Sequence, residues 1–475
     1  MITKSIKRNI PYFLKNSLKT IYAYIPLRYR FNKNFRKTYN FSNASQWWSK
    51  KDLEEFQMQQ LRKLLIHAYE NVPYYRNIFN ERGLKPIDIK DINDLKKLPY
   101  LTKDIIRKNL HNLIARNYSK RKLQYVTTSG STGRPLGLYL EKGITDVKEW
   151  AFIWRQWNWA GLKLGAKRVI IRGDVIVRYK NNNRQLWEFD PLSNTLILSS
   201  YDLNDKNLPK YINKINKFKP DAIQGYPSNL YILSNYIKNN KLTINNIKCI
   251  LTASENLYPF QRNIIQRYLG AKIFDLYGNT ERSCLIMECE KNSYHPISEF
   301  GIIEIIGKDN KPVYVEDQVG EIVATGFNNY GMPLIRYRTM DMVLITLEKC
   351  KCGRNYPLVK RIEGRLQEYI QAKDGSIVSL APAIFGIHDV ELTKIKQLQF
   401  FQKEQGKLII QGIRCPSFSA TEVKEYILNL FKARFEGNFD LEVKLVDEIS
   451  RTRTGKYRFL IQKLPIELIR NDNAI

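Results

Sequence analysis

At 475 residues the chain is too long for one ordinary core and suits two or three domains. Hydrophobic residues make up 43% and aromatics 12%, which excludes a disordered composition. The net charge of +31 raises an anionic partner, yet the chain is rich in Lys, Asn and Ile throughout. Neither an arginine–aromatic RNA-binding signature nor a recognition-helix pattern accompanies the charge, so specific nucleic-acid binding is set aside.

Residues 1–50 carry eleven Lys or Arg and no acidic residue, with Tyr12, Phe13, Tyr22, Tyr24, Tyr29, Phe31 and Trp47 interleaved. Such an arm suits peripheral contact with an anionic membrane surface, or simple packing on the body. A helix is expected near Leu53–Ala68, with Phe56, Leu61, Leu64, Leu65 and Ala68 on one face. From about residue 120, short apolar runs such as Arg168–Arg172 and Cys249–Leu251 alternate with helical patterns at Pro227–Ile237 and Pro259–Leu269, the last closed by Gly270. Gly301–Gly307, Gly320–Gly326 and Leu334–Thr346 read as strands of an antiparallel β subdomain. A last unit holds a strand at Lys407–Ile413, a helix at Glu422–Phe435 and a strand at Asp440–Val446. The expected division is a basic arm at 1–50, a nucleotide-binding domain at 51–364 and a small domain at 365–475. The six cysteines follow no secretory apolar segment, and no run of 18 apolar residues is present. A reduced, cytoplasmic protein, at most peripheral at the inner face of the membrane, is expected.

Four segments carry chemistry. Thr128-Ser129-Gly130-Ser131-Thr132-Gly133 joins two apolar runs, and its flexible backbone can wrap phosphate oxygens, although it lacks the Gly-Lys-Ser/Thr ending of a Walker A loop. Tyr277-Gly278-Asn279-Thr280-Glu281 offers a ring to stack on a base, a hydroxyl for phosphate and a carboxylate for Mg²⁺. Asp341, in the string from Ile335, can accept from both ribose hydroxyls. Lys456, on a Gly-containing turn, can be delivered into a cleft.

Singly, each has a bland reading as a turn, a linker or a surface ion pair. The set and its order resemble the adenylate-forming superfamily. The strings HAYENVPYYRNIF, LKKLPYLTKDIIRKN, NNYGMPLIRYRT and RTRTGKYRF resemble its phenylacetate–CoA ligase-like branch, especially CapK-type proteins tied to capsular polysaccharide synthesis. The resemblance implies an α/β fold: a large N-terminal adenylation domain of several subdomains, α/β plus β, with a small mobile α+β C-terminal domain. It further implies that Thr128 to Gly133 form the phosphate loop, with Ser254, Glu255, Tyr277 and Gly278 on the nucleotide side. Thr280 would touch phosphate and Glu281 would hold Mg²⁺. Asp341 and Arg365 would bind the ribose, Gln367 would sit at the hinge, and Lys456 would bridge acyl and α-phosphate oxygens. Three departures stand out: Leu136 follows the loop where Lys is common, Met340 replaces the usual Gly before the ribose Asp, and Gln367 is an unusual hinge residue.

The implied activity is an ATP-dependent, AMP-forming acid–CoA ligase, with ATP, Mg²⁺ and coenzyme A. The alternative acceptor is an amine or amino sugar. Cys289, His295, Cys350 and Cys352 together make a candidate closed, structural Zn²⁺ site. Trp150, Trp154 and Trp157 share one helical face, which either lines the acid pocket or belongs to the core.

Overall fold

The computed structural model describes residues 30–128, 136–172, 179–180, 183–307, 309–365, 369–380, 384, 394–432, 434–435, 437–449, 451 and 457–464. Within the basic segment, Lys33–Ser45 is a helix whose first turn is capped by Asn32, the side chain accepting the Phe35 N–H. Phe35 is buried in one cluster with Trp154 and Trp157, and the Ser45 hydroxyl donates to Glu299. This part of the segment therefore lies against the body. Ser49 opens the helix Lys50–Asn71 with a capping box: its hydroxyl accepts the Asp52 N–H, and Asp52 accepts the Ser49 N–H. Leu61, Leu64, Leu65 and Ala68 form the expected buried face, extended by Leu53. Phe56 turns aside onto Phe41 and Trp48. Pro73 starts the next helix, Pro73–Glu81, where its missing N–H costs nothing.

The body is organised by a twelve-stranded sheet. Its neighbours run in the order Gly301–Ile306, Val319–Gly326, Tyr337–Ile345, Val359–Arg365, Tyr294–Pro296, Leu285–Glu288, Lys272–Gly278, Cys249–Ala253, Ala222–Gly225, Arg168–Arg172, Thr195–Ser199 and Trp187–Asp190. The five from Lys272–Gly278 to Thr195–Ser199 pair in parallel. Parallel pairing requires crossovers, supplied by the helices Leu208–Phe218, Pro227–Asn239 and Pro259–Leu269. Covered in this way, Ala222–Gly225 and Cys249–Ala253 are apolar and buried almost throughout. Gly270 ends its helix at a φ of +69°, a left-handed conformation that glycine adopts at no steric cost. The strands from Gly301 to Arg365 pair antiparallel, as their turn-separated pattern predicts.

The small C-terminal unit has a four-stranded sheet in the order Asp440–Leu445, Lys407–Arg414, Ile395–Gln402, Leu460–Gln462. The helix Ala420–Lys432 buries Val423, Ile427 and Phe431, and Phe431 meets Phe400 edge to face at 5.0 Å. Leu398 and Phe400 of this unit share one hydrophobic cluster with Leu230 and Phe260 of the body. Among the described residues, no helix is long and apolar enough to cross a membrane.

Candidate active site

Three neighbouring parallel strands end on the same edge, where an open α/β sheet leaves its crevice. Ala222–Gly225 leads into Tyr226 and the helix beginning at Pro227; Cys249–Ala253 leads into Ser254 and Glu255; Lys272–Gly278 carries Tyr277 and runs into Glu281. The Tyr277 hydroxyl donates to Asp341 Oδ2 at 2.7 Å. Two segments that the sequence placed on the nucleotide side thus meet. Burial, with the adjacent Asp341 charge, holds the Tyr277 phenol well above its ordinary pKa, so it is a donor. Asp341 lies directly across from Arg365 in the strand register. Met340, inside the strand Tyr337–Ile345 and just before Asp341, has a φ of +67°, a left-handed backbone that favours glycine. Its N–H is fixed on Glu321 Oε1 at 3.0 Å.

Glu281 is nearly buried and accepts the Tyr337 hydroxyl on Oε1 at 2.6 Å. Sequence reasoning does not single out Tyr337, whose signal is only its place in the same string as Asp341. The turn that carries Thr280 and Glu281 is folded by Asn279, which accepts from Ser283 N–H at 3.0 Å and donates to its hydroxyl at 2.7 Å. Beneath it lies a pair of facing glycines, Gly301 and Gly326. A Cβ on Gly301 would sit 2.9 Å from the Ser283 carbonyl oxygen, and one on Gly326 2.9 Å from Ser283 Cα. Only the absence of side chains lets the turn rest there. Arg282 pins the turn to the Trp-rich helix Thr145–Trp159 through Glu149 at 2.8 Å and Asp146 at 3.3 Å. Burial outweighs Arg282's pull and pushes Glu149 up to about 7.

Ser129 to Gly133, Gln367, Lys456 and the Arg365 side chain lie outside the described residues. Thr128 and Leu136 pair with each other: the Thr128 hydroxyl accepts the Leu136 N–H at 3.0 Å, and the Thr128 N–H donates to the Leu136 carbonyl. Ser254 has a φ of +74°. Glu255 accepts two backbone donors, Ser228 N–H on Oε2 at 3.1 Å and Tyr457 N–H on Oε1 at 2.7 Å. Trp154 and Trp157 are core residues under the Arg168 guanidinium, which stands 4.4 Å from the Trp157 ring, so the stripe does not line an open pocket; Trp150 is 37% exposed.

The four metal candidates converge. Sγ of Cys289, Cys350 and Cys352 and a ring nitrogen of His295 all lie within 4.8 Å of one another. Cys289 and Cys350 sulfurs are 3.6 Å apart, and Cys352 Sγ is 3.5 Å from His295 Nε2. A zinc tetrahedron with Zn–S of about 2.3 Å and Zn–N of about 2.0 Å has edges of about 3.8 Å and about 3.5 Å, so the donor set fits that ion. The Lys291 N–H donates to Cys289 Sγ at 3.3 Å. Burial, reinforced by Arg354, pushes His295 down to about 4, so the ring is neutral and available as a ligand. The cluster ties the hairpin of Leu285–Glu288 and Tyr294–Pro296 to the turn at 350–353.

Known proteins share this architecture. The CapK C-terminal domain family matches residues 370–463. Protein CapK of Staphylococcus aureus is 26% identical over 463 residues, 97% of this chain and 99% of that protein. A phenylacetate-coenzyme A ligase of Pseudomonas putida is 27% identical over 354 residues, 73% of this chain and 76% of that one. A structure of 2-hydroxyisobutyryl-CoA ligase in the postadenylation state, with an adenylate bound, superposes with a TM-score of 0.67 at 18% identity, covering 88% of this chain and 92% of that one. In sequence the chain is thus similar to CapK and to the phenylacetate-coenzyme A ligases, with a CapK C-terminal domain at residues 370–463, and in fold it is similar to an acyl-CoA ligase.

Proposed function

We propose that this protein is an ATP-dependent, AMP-forming acid–CoA ligase. A carboxylate oxygen attacks the α-phosphorus of ATP and pyrophosphate leaves; the thiol of coenzyme A then attacks the acyl carbon and AMP leaves. The observation that carries this reading is the Tyr277–Asp341 hydrogen bond, which unites two nucleotide-side motifs 64 residues apart beside the carboxyl ends of parallel strands. The similarity to proteins named as phenylacetate–CoA ligases supports it.

In this reading, residues 128–133 wrap the phosphates, Tyr277 and Gly278 flank the base with Ser254, and Asp341 with Arg365 takes the ribose hydroxyls. Thr280 meets phosphate. Glu281 would hold Mg²⁺, which supplies positive charge to the phosphate oxygens when bound. A single protein carboxylate suits an ion carried mainly by substrate phosphates and water. Carboxylate and phosphate repel one another, so the reaction needs positioning and charge neutralisation more than acid–base chemistry. The Lys456 ammonium meets that need at the α-phosphate, and a fixed donor of this kind is worth roughly 3–4 kcal/mol. Rotation of the small unit about Gln367 would withdraw Lys456 and admit the thiol. The resemblance to capsular polysaccharide proteins favours an acid used in cell-surface polysaccharide synthesis, in the cytoplasm.

Pyrophosphate exchange over a panel of carboxylic acids tests the reading, with wild type against Lys456→Ala. One acid is expected to stimulate exchange in wild type, with a loss of at least about 100-fold in the variant and ATP binding retained. Equal exchange in both proteins refutes the role of Lys456, and acyl transfer to an amine in place of coenzyme A refutes the acceptor. Cys289, His295, Cys350 and Cys352 are further proposed to hold a structural Zn²⁺ with no open position. Gently purified protein should contain one zinc per chain, and its absence by elemental analysis removes the site.

A further inference from the structure

The five parallel strands start in one row. Lys272, Cys249, Ala222, Arg168 and Thr195 are register partners of one another in turn, so the segments that feed these strands gather at the edge opposite the candidate active site. Segments 160–167, 216–221 and 240–248 bring six lysines to that edge and a single acid, Asp221. Asp221 is already engaged, by the Lys248 ammonium at 2.8 Å and the Lys167 N–H at 2.9 Å. Lys163, Lys217, Lys219, Lys241 and Lys248 are exposed. The helix Lys33–Ser45 extends the same face. Phe31 and Phe35 pack with Ala222 and Cys249, and Arg30 Nη1 donates at 2.9 Å to the carbonyl of Leu192, in the turn before Thr195. This helix opens with exposed Lys33, Arg36 and Lys37 and has no acid in its first turn.

The helix dipole favours Lys217 and Lys219 at the end of Leu208–Phe218, but it opposes Lys33, Arg36 and Lys37 at the start of theirs. Helix stability therefore does not account for the face as a whole. Two apolar side chains stand out of it: Phe189, 42% exposed beside Phe218, and Leu242, 38% exposed next to Lys241.

We propose that this edge docks on an anionic lipid bilayer, with the lysines on headgroup phosphates and with Phe189 and Leu242 in the shallow apolar layer beneath. The cations spread in two dimensions, across adjacent strand starts and onto the flanking helix. A headgroup layer presents its charge in the same way, whereas a nucleic-acid strand presents it along a line and is gripped by base stacking. Lysine, a flexible point charge, supplies most of the face and suits phosphates with no fixed arrangement. Docking on this edge turns the carboxyl ends of the strands, and the candidate active site, away from the bilayer. The proposal holds or fails independently of the ligase reading.

Co-sedimentation of the full chain tests it, with vesicles of phosphatidylcholine alone and of phosphatidylcholine with about one third phosphatidylglycerol. Wild type is expected to bind the anionic vesicles and not the neutral ones, and to be released by high salt, which screens exposed charges. Each lysine is worth about fivefold at such a surface, so Lys217→Gln with Lys219→Gln and Lys241→Gln should lose about 100-fold in affinity. A control of equal net charge, Lys85→Gln with Lys90→Gln and Lys96→Gln, changes exposed lysines that follow the helix Pro73–Glu81 and should stay within about twofold of wild type. An equal fall in both triple variants would mark an effect of net charge alone, and an unchanged affinity in the first would leave this face without a part. Either result overturns the proposal, as does equal binding to both kinds of vesicle. Tighter binding to a random DNA duplex than to the vesicles, lost in the first variant, overturns it in favour of nucleic acid.

Discussion

Tyr277 and Asp341 illustrate how much one contact between distant residues decides. The phenol donates to a nearly buried carboxylate, so Tyr277→Phe leaves that oxygen short of a donor. The expected cost is about 1–3 kcal/mol of stability by urea denaturation, with a higher KM for ATP because Asp341 is no longer oriented. Glu149 offers a second residue-scale test. Burial raises its folded pKa from 4.5 to about 7. The folded state therefore holds that proton more tightly than the unfolded chain does. This contribution to stability is fully present below pH 4.5 and is lost as pH rises through about 7. Glu149→Gln removes that titration, so unfolding free energies of the variant and wild type should diverge in favour of the variant between those pH values. A parallel pair of pH profiles would contradict the assignment. Sequence supplied Tyr277, Glu281 and Asp341 as types in motifs. It could not supply Tyr337 or Glu149, because their importance lies in what they touch 56 and 133 residues away.

At the scale of elements, the Trp-rich helix Thr145–Trp159 connects several parts of the body. Its Arg155 is fully buried and bonds Glu299 and Tyr356 at 2.8 Å each and the Ser42 carbonyl at 3.1 Å. The pair joins the helix Lys33–Ser45 to the loop that precedes Gly301 and to Tyr356, near the zinc candidates. Arg155→Ala strands a buried carboxylate and should destabilise by about 3–5 kcal/mol. Replacing both partners, Arg155→Met with Glu299→Leu, should recover most of that loss in the same urea titration, because the desolvation of two charges is then avoided. The helix itself is readable in sequence, and so is the shared face of its tryptophans. Whether that face meets a ligand or a core is not readable, since both demand apolar surface; here Phe35 and Arg168 cover it.

For the whole molecule, the docking of the small unit on the body is the consequential arrangement. Phe459 packs edge to face on the body's Tyr258 at 4.7 Å and Phe260 at 6.3 Å, and Lys396 pairs with Asp205 at 2.9 Å. The ion pair is half-buried at Lys396 and exposed at Asp205 and adds little, so the docking rests on the aromatic contact together with the shared apolar cluster and the Tyr457–Glu255 hydrogen bond. Phe459→Ala should weaken it by about 1–3 kcal/mol and split thermal unfolding into an early transition of the small unit and a later one of the body. A single unshifted transition in calorimetry would show that the contact is idle.

The amino-acid sequence by itself determined the local elements, the order of the motifs and the presence of four metal-type ligands. Caps, prolines, glycines and apolar spacing act within a few residues, and so the strands, the helix ended by Gly270 and the capping box at Ser49 are written locally. Only the tertiary structure decided which groups meet: Tyr277 with Asp341, Glu281 with Tyr337, Glu255 with Tyr457 across 202 positions, and two pairs of zinc-type ligands drawn from separate turns. Such meetings follow from burying the apolar faces of many elements at once, and loop closure makes their cost depend only weakly on sequence separation. No local pattern records them.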